Sequence, residues 1–209
     1  MVDDGPNEAA EFTRRLGVEH RDILLGIRPI PSDIPIKVLG SRQLGMQYTK
    51  RSSVRAVVTS SDGRVLIVKA HKENYYKLPG GGIEEGESHR ETAEREVFEE
   101  TGSRVSLQGS LFAMSEEFRH HLHQFSYCYR ASLLEDTGKP ELTEEEVDDG
   151  LCHEWVPLDK ALEIMASVEP TSELGRYIKE RDIFFLAEAL KVADTQPHHC
   201  RPFFVTRSA

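Results

Sequence analysis

LPGGGIEEGESHRETAEREVFEETG, residues 78–102, is the stretch that decides how the rest of the chain is read. Ser88 followed three residues later by Glu91 is a capping box, in which each side chain bonds a backbone N–H that the first helical turn leaves open. A helix therefore runs from about His89 to Thr101, and Gly102 stands where a left-handed cap ends it. At about 100° per residue, Glu96, Glu99 and Glu100 share one face, with Ala93 and Val97 beside it towards a sheet. Carboxylates at this spacing repel one another and weaken a helix, so their convergence asks for a divalent cation. Magnesium prefers carboxylate and water oxygens and is commonly shared with substrate phosphates. The turn Gly80-Gly81-Gly82 lets backbone come close to a ligand or metal. A solvated acidic helix behind a flexible loop explains any one glutamate, but not glycines, caps and one-sided carboxylates together.

Outward from this segment, Val54–Val58 and Val65–Val68 are short β-rich runs, and Asp62-Gly63 between them signals a tight hairpin. Tyr75–Leu78 is a further extended piece. After the helix come strands at about Val105–Ala113, Phe125–Leu134 and His153–Val156, then helices at Asp159–Ser167 and Ser172–Ala193. Near the start, a short helix over Asn7–Leu16 is followed by IRPIPSDIPIKVLG, whose prolines exclude a regular helix. The prolines suit either an ordered wrap on the main domain or a contact in a homodimer. The pattern divides into an N-terminal extension (1–49), a central domain (50–168), and a C-terminal helix with irregular tail (169–209). Strands mixed with a few helices give an α+β fold, a mixed β-sheet between helices.

The 209 residues suit one domain with appendages, and 38% hydrophobic residues describe a modest core. No run reaches the roughly 18–20 apolar residues that span a bilayer, and the acidic N-terminus is no secretory signal. Cys128, Cys152 and Cys200 are odd in number and widely spaced, which speaks against a disulfide framework. The expected address is the cytoplasm, with the nucleus as the other reducing compartment. A net charge of -10 argues against nucleic acid as partner and for a small phosphate ligand bridged by metal.

At its conserved-type positions the 78–102 segment resembles the Nudix box, Gly-x5-Glu-x7-Arg-Glu-U-x-Glu-Glu-x-Gly-U, where U is bulky and aliphatic. Gly81, Glu87, Arg95, Glu96, Val97, Glu99, Glu100 and Gly102 match, and Ser103 replaces the last aliphatic residue. The resemblance covers about residues 50–165. It implies a Nudix-type α/β/α sandwich and metal-dependent hydrolysis of a phosphoanhydride bond in a nucleoside diphosphate linked to another moiety. It also implies roles. Glu99 and Glu100 bind magnesium (or manganese), Glu96 is a ligand, a general base or both, and Arg95 orients a carboxylate. Glu87 reaches the metal directly or through water, and the Gly80 carbonyl completes the shell. Glu145 and Glu146, in the acidic run 144–149, stand either as a distal metal ligand or as part of a solvated loop.

The favoured substrate is a small-molecule nucleotide of nucleoside triphosphate type, oxidised forms included, with dinucleoside polyphosphates next. Neither the post-box proline associated with ADP-ribose cleavage nor the SQPWPFPxS array associated with NADH cleavage is present. A non-catalytic nucleotide sensor of this fold would be expected to lose box carboxylates, and none is lost. A nuclease or decapping enzyme needs a basic path for the backbone. Weaker signals have plainer readings. His120, His121 and His123 suit a surface turn, and His198-His199-Cys200 lacks zinc-site spacing. Phe118, Tyr127, Tyr129 and Trp155 suit core packing better than stacking on a base.

Overall fold

The computed structural model describes residues 33–195, with side chains through Lys191. The helix expected over residues 7–16 and the cluster at 198–200 lie outside these residues. Seven strands form one mixed sheet: β1 (Ile36–Leu39), β2 (Thr49–Thr59), β3 (Arg64–Ala70), β4 (Tyr75–Lys77), β5 (Ser103–Arg119), β6 (Leu122–Asp136) and β7 (Leu151–Pro157). The order is β1-β5-β6-β2-β3-β4, and β7 pairs with β3. The pairs β1–β5 and β2–β6 are parallel, the others antiparallel. Four helices lie among the described residues: α1 (His89–Thr101), α2 (Glu144–Asp148), α3 (Leu158–Ser167) and α4 (Glu173–Thr195). None of the described helices is long and apolar enough to cross a membrane.

The alternation of β2 builds both layers. Val54, Ala56 and Val58 pack with Phe125, Tyr127 and Met114 against Ala93 and Val97 of α1. Val57 joins Val65, Ile67 and Cys128 against Ala161 and Met165 of α3 and Phe185 and Leu186 of α4. The result is an α/β/α sandwich. Each fully buried large apolar side chain contributes roughly 1.5–3 kcal/mol to holding the layers together. Phe125, Tyr127 and Tyr129 are core residues, as their alternation along β6 suggests, and Phe118 of β5 is buried as well.

Two expectations need correction. The Asp62-Gly63 turn forms, with Gly63 at φ 83°, but β2 and β3 share only the Thr59–Val65 pair before they splay apart. β2 instead pairs along its whole length with β6, and β3 with β7, so each strand has a longer partner elsewhere. The splay leaves most of one edge of β2 open. The histidines also divide. His120 and His121 do form the exposed turn between β5 and β6. His123 is buried, stacks on Phe118 with ring centroids 4.4 Å apart, and bonds Glu116 at 2.9 Å. It shares the inward face of β6 with Phe125 and Tyr127, two and four residues on.

Candidate active site

The glycine turn fills the open edge of β2. Ala56 N–H donates to Pro79 O at 3.0 Å, Val54 N–H to Gly81 O at 2.9 Å, and Ile83 N–H to Ser52 O at 3.1 Å. Residues 79–83 are therefore a strap laid along a strand, not a free loop. The N–H groups of Leu78 and Gly80 go elsewhere, to Asp182 Oδ2 at 2.9 Å and Glu100 Oε2 at 3.1 Å. Two glycines are needed for different reasons. Gly80 has φ 135°, and a Cβ there would strike the Val54 carbonyl. A Cβ on Gly81 would occupy the place of the Glu96 carboxylate.

Helix α1 supplies the acids. Its capping box forms as expected, Ser88 accepting from Glu91 N–H and Glu91 from Ser88 N–H, and Gly102 closes it at φ 72°. Arg95 sits among three carboxylates. Its Nε and Nη2 donate to the two oxygens of Glu87 at 2.6 and 2.9 Å, and its Nη1 to Glu96 and Glu99, each at 3.0 Å. Nη2 also reaches Gly82 O at 3.1 Å. The hydrogen bond from Arg95 holds the Glu87 carboxyl down at about 2. Glu96 moves the other way: burial, then the charge of Glu100, raises its carboxyl above the ordinary value. Glu100 itself is only 2% exposed and takes a 2.6 Å bond from Lys77 Nζ.

Glu87, Glu96, Glu99, Glu100 and the Gly80 backbone are thus brought together. Glu145 and Glu146 are not joined to them by any ion pair or hydrogen bond among the described residues. Glu146 caps α2, accepting from the backbone and hydroxyl of Thr143 at 2.9 Å, and Glu145 is exposed. Among the described residues no three acidic, imidazole or thiol groups stand in ligand spacing. Arg95 lies between the carboxylates instead. The donor set still fits a hard dication. It consists of carboxylate oxygens plus the Gly80 carbonyl, which accepts no hydrogen bond from the described residues.

Sequence reasoning missed the buried cations and the far acid. Arg55 is 7% exposed beneath the site, and burial, then the charge of Arg181, lowers it to about 10. Its place inside the apolar run Val54–Val58 was the available signal. Arg181 and Asp182 of α4 are 1% and 0% exposed and bond each other at 2.6 Å.

An α/β/α sandwich whose central strand carries a glycine strap beside a glutamate-rich helix is the arrangement that the resemblance to the Nudix box implies. The chain belongs to that family, since the NUDIX domain model matches residues 49–177. The chain is 28% identical over 124 residues to a human diphosphoinositol polyphosphate phosphohydrolase NUDT4B, covering 59% of this chain and 66% of that one. It is 38% identical over 58 residues to an RNA pyrophosphohydrolase of Baumannia cicadellinicola subsp. Homalodisca coagulata, covering 28% and 36% respectively. The chain thus spans about a third to two thirds of the length of these relatives. Among solved structures, the E. coli ORF135 protein aligns with a TM-score of 0.52 at 16% identity, over 76% of this chain and all of that one. That likeness concerns the fold.

Proposed function

We propose that the chain hydrolyses a phosphoanhydride bond in a nucleoside diphosphate linked to another group, with nucleoside triphosphates, oxidised ones included, as first-choice substrates. The observation that carries this reading is the convergence of Glu87, Glu96 and Glu99 on Arg95, with Glu100 bonded to the Gly80 N–H of the strap beside them. Magnesium, or manganese in its place, would be held by Glu96, Glu99, Glu100, Glu87 and the Gly80 carbonyl. When bound it neutralises phosphate oxygens and makes a coordinated water more acidic. Glu96, whose carboxyl is raised by burial, takes the proton from the attacking water. Oxygen of that water bonds to phosphorus as the bridging P–O bond breaks, and the bridging oxygen leaves with the other phosphate. Arg95 holds the carboxylates in register, and Gly81 leaves the room in which Glu96 works. The net charge of -10 favours a small metal-bridged phosphate over a polymer.

A second reading, an inositol diphosphate, is favoured by the 124-residue likeness to the human protein. It also draws on exposed Arg51, whose guanidinium lies over Gly82, 3.2 Å from where a Cβ would stand. The deciding experiment is a magnesium-dependent panel following released phosphate and pyrophosphate. It contains nucleoside triphosphates, 8-oxo-dGTP, ADP-ribose, diadenosine polyphosphates, a diphosphoinositol phosphate and a capped RNA. Glu100→Gln serves as the blank, with its fold checked by circular dichroism and its turnover expected to be lost. Full activity in that variant removes the metal assignment. Tight binding of one panel member without hydrolysis of any points to a sensor instead.

A further inference from the structure

We propose that Asp182, on the C-terminal helix, is a positioning residue that holds the strap through Leu78 and thereby sets metal affinity and turnover. The inference rests on reading the strap and Glu100 as the reacting centre. It concerns residues beyond the family match, which ends at 177.

Asp182 is fully buried, and its Oδ2 takes the Leu78 N–H at 2.9 Å. Arg181 is 1% exposed and bonds Asp182 through Nε at 2.6 Å and Nη2 at 3.2 Å. A buried ion pair of this kind is poor evidence of a contribution to stability, because well-packed apolar residues in its place are often neutral or stabilising. Its connection to the strap supplies another role. At the start of the strap two N–H groups turn to buried carboxylates, that of Leu78 just before it and that of Gly80 within it, and Pro79 between them has none to offer. One goes to Asp182 on α4, the other to Glu100 on α1. α4 and α1 pack on opposite faces of the sheet. The strap is therefore clasped from both layers by one buried carboxylate each, and Glu100 belongs to the metal-binding set.

Arg55 is buried in β2, the strand along which the strap lies, and its Nη1 donates to Val54 O at 2.8 Å. It lies buried within the fields of Arg181, Asp182, Glu100 and Glu96. With Asp182 neutralised, Arg55 and Arg181 repel without their shared counter-charge. The two N–H bonds thus tie a helix beyond the family match to the Gly80–Glu100 contact through three successive residues of backbone.

The test uses the full-length protein with Asp182→Asn, Asp182→Ala, the apolar double variant Arg181→Met/Asp182→Leu, and Glu100→Gln. Three quantities are read: amide exchange at Leu78, Mn2+ affinity by EPR titration without substrate, and kcat separately from KM. Asp182→Asn should speed Leu78 exchange, weaken Mn2+ binding about tenfold and lower kcat about tenfold, as loss of a residue supporting metal ligands does. KM should change little. Asp182→Ala should be more severe. The double variant removes both buried charges together, so it should still fold, losing only the stability of the unmatched Leu78 N–H, and should bind Mn2+ weakly, which separates positioning from loss of the fold and covers the case in which Asp182→Ala does not fold. Wild-type Mn2+ affinity and kcat in Asp182→Asn or in the double variant overturn the proposal. Glu100→Gln distinguishes the two layers of inference. If it keeps Mn2+ affinity and turnover, the site reading fails. If it loses both while Asp182→Asn keeps them, only the positioning role fails.

Discussion

Arg95 grips both oxygens of Glu87, eight residues upstream, through bonds of 2.6 and 2.9 Å. A planar fork meets a planar carboxylate there, a geometry that a single ammonium does not reproduce. The grip fastens the end of the strap loop to the middle of α1, while the remaining Nη1 spaces Glu96 and Glu99.

Arg95→Lys keeps the charge and loses the fork. Turnover should fall by about 10–100-fold with the fold intact, the usual cost of releasing groups that orient metal ligands. Steady-state kinetics alongside circular dichroism measures this. A variant with more than half of wild-type kcat would show that charge alone suffices.

Gly81→Ala places a methyl where the Glu96 carboxylate rests. The side chain can swing away, so the protein should fold, but Glu96 is displaced by about 1 Å and activity falls by about 10²-fold. Gly82→Ala is the control, since its methyl meets only the mobile guanidinium of Arg51 at 3.2 Å. Equal activities in the two variants would contradict the assigned role of Glu96.

His89 faces the sheet rather than solvent and shares a 2.9 Å hydrogen bond with the Tyr129 hydroxyl. Burial depresses its imidazole from 6.5 to about 4. The unfolded chain therefore takes up this proton near pH 6.5, whereas the folded chain resists until about 4. Stability present above pH 6.5 is lost as pH falls through that window. Between pH 7 and 5 the loss from this group is roughly 2 kcal/mol. Urea unfolding of wild type and His89→Gln at both pH values should show a steeper decline in wild type. Parallel declines would mean that His89 is protonated freely in the folded state.

Ser103 stands where relatives of the box pattern carry an aliphatic residue. Its side chain is 0% exposed and its hydroxyl has no hydrogen-bond partner among the described residues. Ser103→Ala removes a buried polar group that gains nothing in the fold, and should stabilise by about 1 kcal/mol. For a domain of this size that raises Tm by about 2–4 °C. Calorimetry decides, and a lowered Tm would indicate a bond made by the hydroxyl in solution.

What the sequence disclosed tracks how local the governing interaction is. The bounds of α1 follow from Ser88, Glu91 and Gly102, all within one helical turn of its ends, and the structure places them at His89–Thr101. The Asp62-Gly63 turn was equally legible, but the choice of β6 as partner for β2 is made some 70 residues away. The same distance hid the strap. Glycines at 80–82 suggest looseness, and only β2, freed by its divergence from β3, gives them a strand's hydrogen bonds. His123 was legible in principle, since it alternates inward with Phe125 and Tyr127. Asp182 carried a signal too. It falls four residues after Ile178 and three and four before Phe185 and Leu186, on the buried face of α4. A charge at such a position calls for a partner, and no local pattern identifies a backbone N–H 104 residues earlier.

The strap's alignment along β2 also governs which changes of chain length the protein tolerates. Within residues 79–83, adding or removing a single residue moves every later carbonyl to the opposite side. Gly81 would no longer sit under Glu96, and the bonds to Val54 and Ala56 would lose their acceptors. Immediately downstream, Glu84, Glu85 and Gly86 are exposed, yet their length is fixed too, because Glu84 and Glu87 close a turn through two hydrogen bonds and Arg95 grips Glu87 at its end. Residues 79–87 are therefore a segment of fixed length, and descendants of this sequence can gain or lose residues only outside it.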